Sequence, residues 1–311
     1  MNASRRLILI AAVLMAGIAA RAQQDPMYTM YMWNTLSVNP GYAGSSDLFT
    51  ITGLARQQWV GLDGAPKTQT LTLHSPLRNN ALGVGFTAVH DEVGPINNTL
   101  LFADFAYRVR VTEGARLAFG LKAGVDLFSA DLASVPGTDA SDPLFQQNIG
   151  SSTKPNFGFG VYYWSKKGYL GISAPKLLQH DLLGVDVGTV TVNAITQKRH
   201  YFVTGGYVFT LSPAVKFRPS FLVKAVDGAP LSLDLTANFL LAERLWLGVA
   251  YRNEDSMSGI IAYNITEQLR AGYAYDFTLT PLKTQQSGTH ELMLQYDLRF
   301  NKEKTLSPRY F

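Results

Sequence analysis

Five histidines, one His-Glu pair and a handful of charges in alternating segments are the residues of this chain that could do chemistry. His74, His90, His180, His200 and His290 lie far apart and share no ligand spacing, so they predict no metal centre. His290-Glu291 would suit an acid–base pair, but neighbours on a strand point to opposite faces. There is no cysteine, which excludes thiolate ligands, disulfides, a cysteine nucleophile and a lipidated N-terminal cysteine. No G-x-S-x-G occurs. Gly83-Val84-Gly85 and Gly158-Phe159-Gly160 lack the third glycine of a dinucleotide fingerprint and read as small residues on one strand face. Asp104, Arg108, Lys122 and Asp126 are expected to pair across neighbouring strands. The pattern predicts no enzyme and no cofactor.

The elements that would position these residues are strands. From Leu292 the even positions read Leu, Leu, Tyr, Leu and Phe, and the odd positions between them Met, Gln, Asp and Arg. Side chains alternate with period two, so this last segment has one apolar face ending in aromatics and one polar face. The same alternation recurs from about residue 48. Leu117, Phe119, Leu121, Val125 and Leu127 oppose Ala118, Gly120, Lys122, Gly124 and Asp126. Leu245, Leu247, Val249 and Tyr251 oppose Trp246, Gly248, Ala250 and Arg252. Segments 48–60, 66–76, 81–91, 96–111, 115–130, 155–165, 168–174, 198–211, 214–226, 230–241, 244–253, 256–265, 267–279 and 288–300 make fourteen strands. An even count suits a bacterial outer-membrane barrel, whose wall alternates between lipid and lumen.

Connection lengths give a second, independent sign. With a periplasmic N-terminus, every second connection is tight: Arg78-Asn79-Asn80, Thr112-Glu113-Gly114, Lys166-Lys167, Ser212-Pro213, Ala242-Glu243 and Thr266-Glu267. The long connections 131–154, 175–197 and 280–287 all fall at the other end. Barrels of the outer membrane have short periplasmic turns and longer outer loops. A soluble sandwich has no reason to sort loop lengths by parity.

Composition agrees. Charged residues are 16% of the chain, below the usual quarter for a soluble domain. Arg5-Arg6, the apolar run Leu7 to Gly17 and Ala20-Arg21-Ala22 read as a secretory signal peptide cut before Gln23. The run falls short of the ~18 apolar residues a spanning helix needs. Removing the three arginines of the first 22 residues leaves 24 basic residues against 23 acidic ones, so nothing argues for nucleic acid. The expected organisation is a signal peptide over 1–22, a periplasmic or lumenal segment over 23–47, an all-β transmembrane barrel over 48–300, and a periplasmic tail over 301–311. Asp25-Pro26 predicts a helix start, with Tyr28, Tyr31, Met32 and Thr35 on one face and Asn39-Pro40-Gly41 as its end. That segment should pack against the barrel's periplasmic mouth or lumen wall; the alternative is a disordered leader.

Several ordered segments together resemble the PorP/SprF family of type IX secretion system outer-membrane proteins. They are Asp25-Pro26-Met27-Tyr28, Asn39-Pro40-Gly41-Tyr42-Ala43-Gly44, Arg56-Gln57-Gln58-Trp59, Gly64-Ala65-Pro66-Lys67-Thr68 and Gly94-Pro95. Ser173-Ala174-Pro175-Lys176-Leu177-Leu178, Tyr251-Arg252, Gly272-Tyr273-Ala274-Tyr275-Asp276 and Gly288-Thr289-His290-Glu291 complete the set. The chain departs from the family at Gly41, where Ala is usual, and at Thr289, where Ser is common. The resemblance implies a non-enzymatic barrel in the outer membrane that helps export or surface-attach large secreted proteins, adhesins among them. Its implied partners are the secreted protein or its C-terminal domain, other components of the secretion system including the periplasmic ring, and outer-membrane lipid. Leu144, Phe145, Leu177, Leu178, Leu182 and Leu183 in the long loops, with Tyr28 and Tyr31, are the expected partner-binding residues, because exposed apolar loop residues mark contacts. Tyr296, Leu298 and Phe300 are expected to serve barrel assembly. A general porin or small-substrate transporter is the alternative, but it would need an open lumen and a charge-rich constriction loop.

Overall fold

The computed structural model describes residues 25–77, 80–135, 148–187 and 190–298, the side chains of 183–195 excepted. Residues 1–24 and 299–311, on which the expected signal peptide and tail fall, and Arg78, Asn79, Leu144, Phe145 and Phe300 lie outside the described residues. Among the described residues no helix is long and apolar enough to cross a membrane. The chain crosses with strands instead.

β1 (Phe49–Gln57), β2 (Lys67–Pro76), β3 (Leu82–Val93), β4 (Ile96–Thr112), β5 (Ala115–Ala130), β6 (Ile149–Trp164) and β7 (Gly168–Ala174) form the first half of the wall. A separate hairpin of β8 (Asp181–Val187) and β9 (Val190–Thr196) follows. β10 (His200–Tyr207) and β11 (Phe209–Ser212) are two parts of one strand interrupted at Val208, both pairing with β12 (Val215–Val226). β13 (Ser232–Leu241), β14 (Leu245–Arg252), β15 (Ser256–Asn264), β16 (Leu269–Thr278) and β17 (Thr289–Leu298) complete the wall. Each strand pairs antiparallel with the next, β7 with β10, and β17 with β1. With β10 and β11 sharing one position, the result is a closed antiparallel barrel of fourteen strands. Closure leaves no edge to pair with another chain.

The alternation sets the two faces. On β17, Leu292, Leu294 and Tyr296 are exposed outward while Glu291 and Met293 are buried inward. On β5, Phe119 and Leu121 face out, and Ala118, Lys122 and Asp126 face in. Connection parity also holds: the β2–β3, β4–β5, β6–β7, β11–β12, β13–β14 and β15–β16 turns share one end, and the β5–β6, β7–β10 and β16–β17 connections share the other.

Three expectations need correction. β6 begins at Ile149 rather than 155, because β5 continues to pair with it as far as Ala130↔Ile149. The 175–197 connection is not a plain loop, since it carries the β8–β9 hairpin. The N-terminal segment is not an α-helix but three 3-10 turns, Tyr31–Trp33, Thr35–Ser37 and Pro40–Tyr42. Its polar side chains compete for the backbone: Ser37 Oγ donates to the Asn34 carbonyl at 2.8 Å, and Asn39 Oδ1 accepts from Gly41 N at 2.8 Å.

Candidate functional site

The N-terminal segment fills the lumen. It begins at the long-loop mouth, where Lys176 Nζ lies 2.5 Å from the Asp25 carboxylate and Asp25 N donates to His200 Nε2 at 3.2 Å. It ends at the short-turn end, where Asp47 lies 3.5 Å from Arg108 and 3.6 Å from Arg116. The described chain therefore starts at the mouth opposite to the one where β1 begins. The segment was expected at the periplasmic mouth or lumen wall; it lines up with the wall along the whole lumen.

Packing and polar contacts hold it there. Met30, Tyr31, Met32, Trp33 and Leu36 are all buried. Met30 to Trp33 cluster with Leu54, Phe202, Leu222, Leu240, Trp246, Ile260, Ala274 and Met293 of the wall. Leu36, Tyr42 and Ala43 cluster with Ala106, Ala118, Tyr162 and Tyr169 on the opposite side. A residual space of about 50 Å³ remains around Tyr28, Val38, Phe102 and Phe202. The glycines of the wall make the close approach possible. A Cβ at Gly120 would lie 2.1 Å from Gly41 N, at Gly160 2.1 Å from Asn39 Oδ1, and at Gly83 2.1 Å from the Ala43 carbonyl oxygen. These are the small lumen-facing residues that the sequence placed on one strand face.

The polar latch lies at the β17–β1 seam. Glu291 accepts the backbone N–H of Met30 at 2.8 Å and of Thr29 at 2.9 Å. Arg56 donates to Glu291 at 2.8 Å and to Asp276 at 2.7 Å, and Thr29 Oγ1 donates to Asp276 at 2.8 Å. Further down, Tyr28 OH is 2.7 Å from Thr70 Oγ1, Thr72 donates to Asn34 at 2.7 Å, and Ser173 donates to the Val38 carbonyl at 2.7 Å. Arg218 sits between two indoles, 4.9 Å from the Trp33 ring and 4.5 Å from that of Trp246. The Tyr31 hydroxyl lies 3.4 Å from both Ser220 Oγ and Thr236 Oγ1, so both phenols hydrogen-bond to hydroxyls of the wall.

Magnitudes separate the two kinds of contact. Burying a large apolar side chain is worth roughly 1.5–3 kcal/mol, and six of them, Tyr28 included, sit in the segment's first half. A buried ion pair is often close to neutral against an apolar replacement of the same volume, yet costs about 3–5 kcal/mol when one partner is removed. The apolar residues hold the segment in the lumen. The latch fixes its register.

The other residues singled out by sequence fall as follows. Asp104 and Lys122 stand opposite on β4 and β5 and pair at 2.8 Å. Arg108 instead reaches into the segment, donating to the Gly44 carbonyl and facing Asp47. Asp126 accepts from Gln197 of the long connection at 2.6 Å rather than from a neighbouring strand. Their partners come from segments that strand pairing does not specify. His290 faces outward, 2.7 Å from Tyr273 OH, while Glu291 faces the lumen, so the two cannot act together. Tyr28 and Tyr31 are spent on the wall, so a partner reaches them only if the segment moves. Leu178 is exposed at the long-loop mouth, and Leu182 packs beside Phe128, Ala130 and Leu132. Leu177 is half-buried, and Leu183 lies in β8. Tyr296 and Leu298 are on the outer face of β17. Among the described residues no group of three or more His, Asp or Glu could hold a metal ion. Charge pairing alone did not single out Arg56, Asp276 and Glu291, although each lies in one of the segments that carried the family resemblance.

The fold and its site define an outer-membrane β-barrel closed from within by its own N-terminal segment. The family described as type IX secretion system membrane protein PorP/SprF matches residues 20–296, and the chain belongs to that family. It is a protein of the outer membrane. Comparison with curated proteins gives no match. Among solved structures it is similar to the CymD monoaromatic hydrocarbon channel, with 12% identity, 87% of this chain and 94% of that one covered, and a TM-score of 0.52. It is also similar to the outer membrane protein Omp33 of Acinetobacter baumannii, at 9% identity, 81% and 98% coverage and a TM-score of 0.43. The KdgM porin follows at 8% identity, 80% and 99% coverage and a TM-score of 0.38. The CymD likeness shows the barrel fold alone.

Proposed function

We propose that this barrel is a non-enzymatic adaptor of the type IX secretion machinery, binding a secreted surface protein at its long-loop end and helping to export or attach it. The observation that carries this reading is the filled lumen. A conduit for small solutes needs an open path, and Tyr28 to Trp33 together with Asn39 to Gly44 occupy the path from wall to wall. The long-loop end then faces the cell surface, as in barrels whose short turns are periplasmic. Leu178 is the exposed apolar residue offered there; Leu144, Phe145, Leu177, Leu182 and Leu183 join it in the proposal on the sequence alone, and the other secretion components are the partners at the periplasmic side.

Pull-down from outer membranes, with partners identified by mass, tests the reading together with bilayer conductance. An adaptor retains a surface protein and stays non-conducting. Deleting 178–190 should leave the barrel folded and closed while the surface protein is lost. A general porin is the second reading, favoured by the fold likeness to a channel. A steady open conductance of the wild-type barrel would establish it instead.

A further inference from the structure

The long-loop mouth holds a cavity of about 590 Å³ whose floor is the chain's own Asp25, Pro26 and Met27. Its walls come from the β1–β2, β12–β13 and β14–β15 connections and the end of β3. That volume is in the range of built ligand pockets and takes a few residues of extended chain. Carboxylates outnumber cations on its lining: Asp25, Asp91, Glu254 and Asp255 against Lys224 and Arg252. Arg252 is already engaged, donating to Asp234 at 2.7 and 3.0 Å and to Asp255 at 3.2 Å. Asp234 and Lys176, which bind Arg252 and Asp25, add one charge of each sign and leave the excess negative.

Trp59 adds an aromatic wall to this acidic cup. Its φ is +45°, and that of Glu254 on the facing connection is +57°. Bulky residues seldom adopt this left-handed region, and they are held there only where the surroundings over-determine them. Here Trp59 N donates to Thr289 Oγ1 at 3.2 Å, which fixes the turn to the last strand. An indole beside carboxylates attracts a cation through both the ring face and the negative charge.

We propose that this vestibule docks a lysine- or arginine-bearing extended segment of the exported partner. The proposal rests on the long-loop end being the partner-binding face, and it names the chemistry that face reads. The N-terminal segment then does two things: it closes the lumen and supplies the floor of the docking pocket.

The full-length barrel in detergent with tetralysine peptide tests this by tryptophan fluorescence. Of the four tryptophans, Trp33, Trp164 and Trp246 are buried, so a response reports on Trp59. Tetralysine should give a saturable change that salt weakens, tetraglutamate none. The Asp91→Asn/Glu254→Gln double variant should bind roughly tenfold more weakly, since it removes two of the four carboxylates on the lining. Equal responses to both peptides, or undiminished binding by the double variant, would overturn the pocket. Pull-down separates the two levels. A surface protein retained equally by wild type and double variant sinks the vestibule and leaves the adaptor reading intact. A wild type that binds tetralysine but retains no surface protein sinks the adaptor reading, and with it the partner named here.

Discussion

Arg56 and Glu291 stand directly opposite each other where the last strand closes on the first, their side chains 2.8 Å apart and both turned into the lumen. The same Glu291 holds the backbone of Thr29 and Met30. One carboxylate therefore joins the barrel's seam to its plug. Assembly and closure are coupled at that point.

Replacing Glu291 by Ala leaves two buried N–H groups without acceptors and Arg56 with Asp276 and the Thr29 hydroxyl. The cost should be about 3–5 kcal/mol, the usual loss when one partner of a buried pair is removed. The heat-modifiable folded form on gels should convert at a clearly lower temperature. The double variant Arg56→Met/Glu291→Leu should not recover the loss, since it leaves Asp276 buried without the Arg56 guanidinium and the Thr29 and Met30 N–H groups still unpaired.

Gly120→Val should push the plug away while leaving the wall sound. A Cβ at Gly120 would meet Gly41 N at 2.1 Å, whereas β-branched residues suit strands. Single-channel recordings should show openings absent from wild type. Gly259→Val is the matched control, because nothing lies within 4 Å of its Cβ and it faces outward. A Gly120→Val barrel that folds and stays closed would mean the segment can yield without leaving.

Leu294→Arg should be far more damaging than Gln295→Arg. Leu294 is 54% exposed on the outer wall, while Gln295 faces Arg270 and Asp297 inside. A charge on the lipid face costs roughly 2–4 kcal/mol at the midplane. Loss of the folded band for Leu294→Arg and its retention for Gln295→Arg is the expected result. Similar damage from both would contradict the assignment of faces.

Acid should loosen the plug at its long-loop end. Burial of Asp25 works to raise its carboxyl, but Lys176 and His200 outweigh that and hold it below its ordinary 3.8. A depressed carboxylate contributes stability that is present above its unfolded value and lost as pH falls through the folded one. Channel openings should therefore increase as pH drops below about 4. Asp25→Asn should show raised openings near neutral pH and a smaller acid-induced rise.

Impermeant thiol labelling on intact cells checks orientation cleanly, since the chain has no cysteine of its own. A cysteine at Leu178 should react, and cysteines at Lys167, Glu243 and Glu267 should not. The opposite pattern would invert the barrel in the membrane.

The sequence by itself determined the wall. Side-chain alternation is a property of each strand alone, so Leu292, Leu294 and Tyr296 could be assigned outward and Glu291 inward before any fold was known. Loop-length parity is equally local, and it fixed which connections share an end. The occupant of the lumen was legible only in part. Aromatic and Met content said that residues 25–47 must pack on something, but the helix read from Asp25-Pro26 was replaced by 3-10 turns that the wall stabilises.

Tertiary structure alone decided how the segment crosses the barrel, which end it starts from, and what holds it. Thr29 and Glu291 are 262 residues apart, and no periodicity links such positions. Their meeting depends on barrel closure, which brings the first and last strands together around a segment that precedes both. Asp126 shows the same limit on a smaller scale: its face was readable from β5, but its partner Gln197 belongs to a connection whose path strand pairing does not specify. Faces follow from local backbone geometry, whereas partners across a lumen follow from how the closed ring positions everything it encloses.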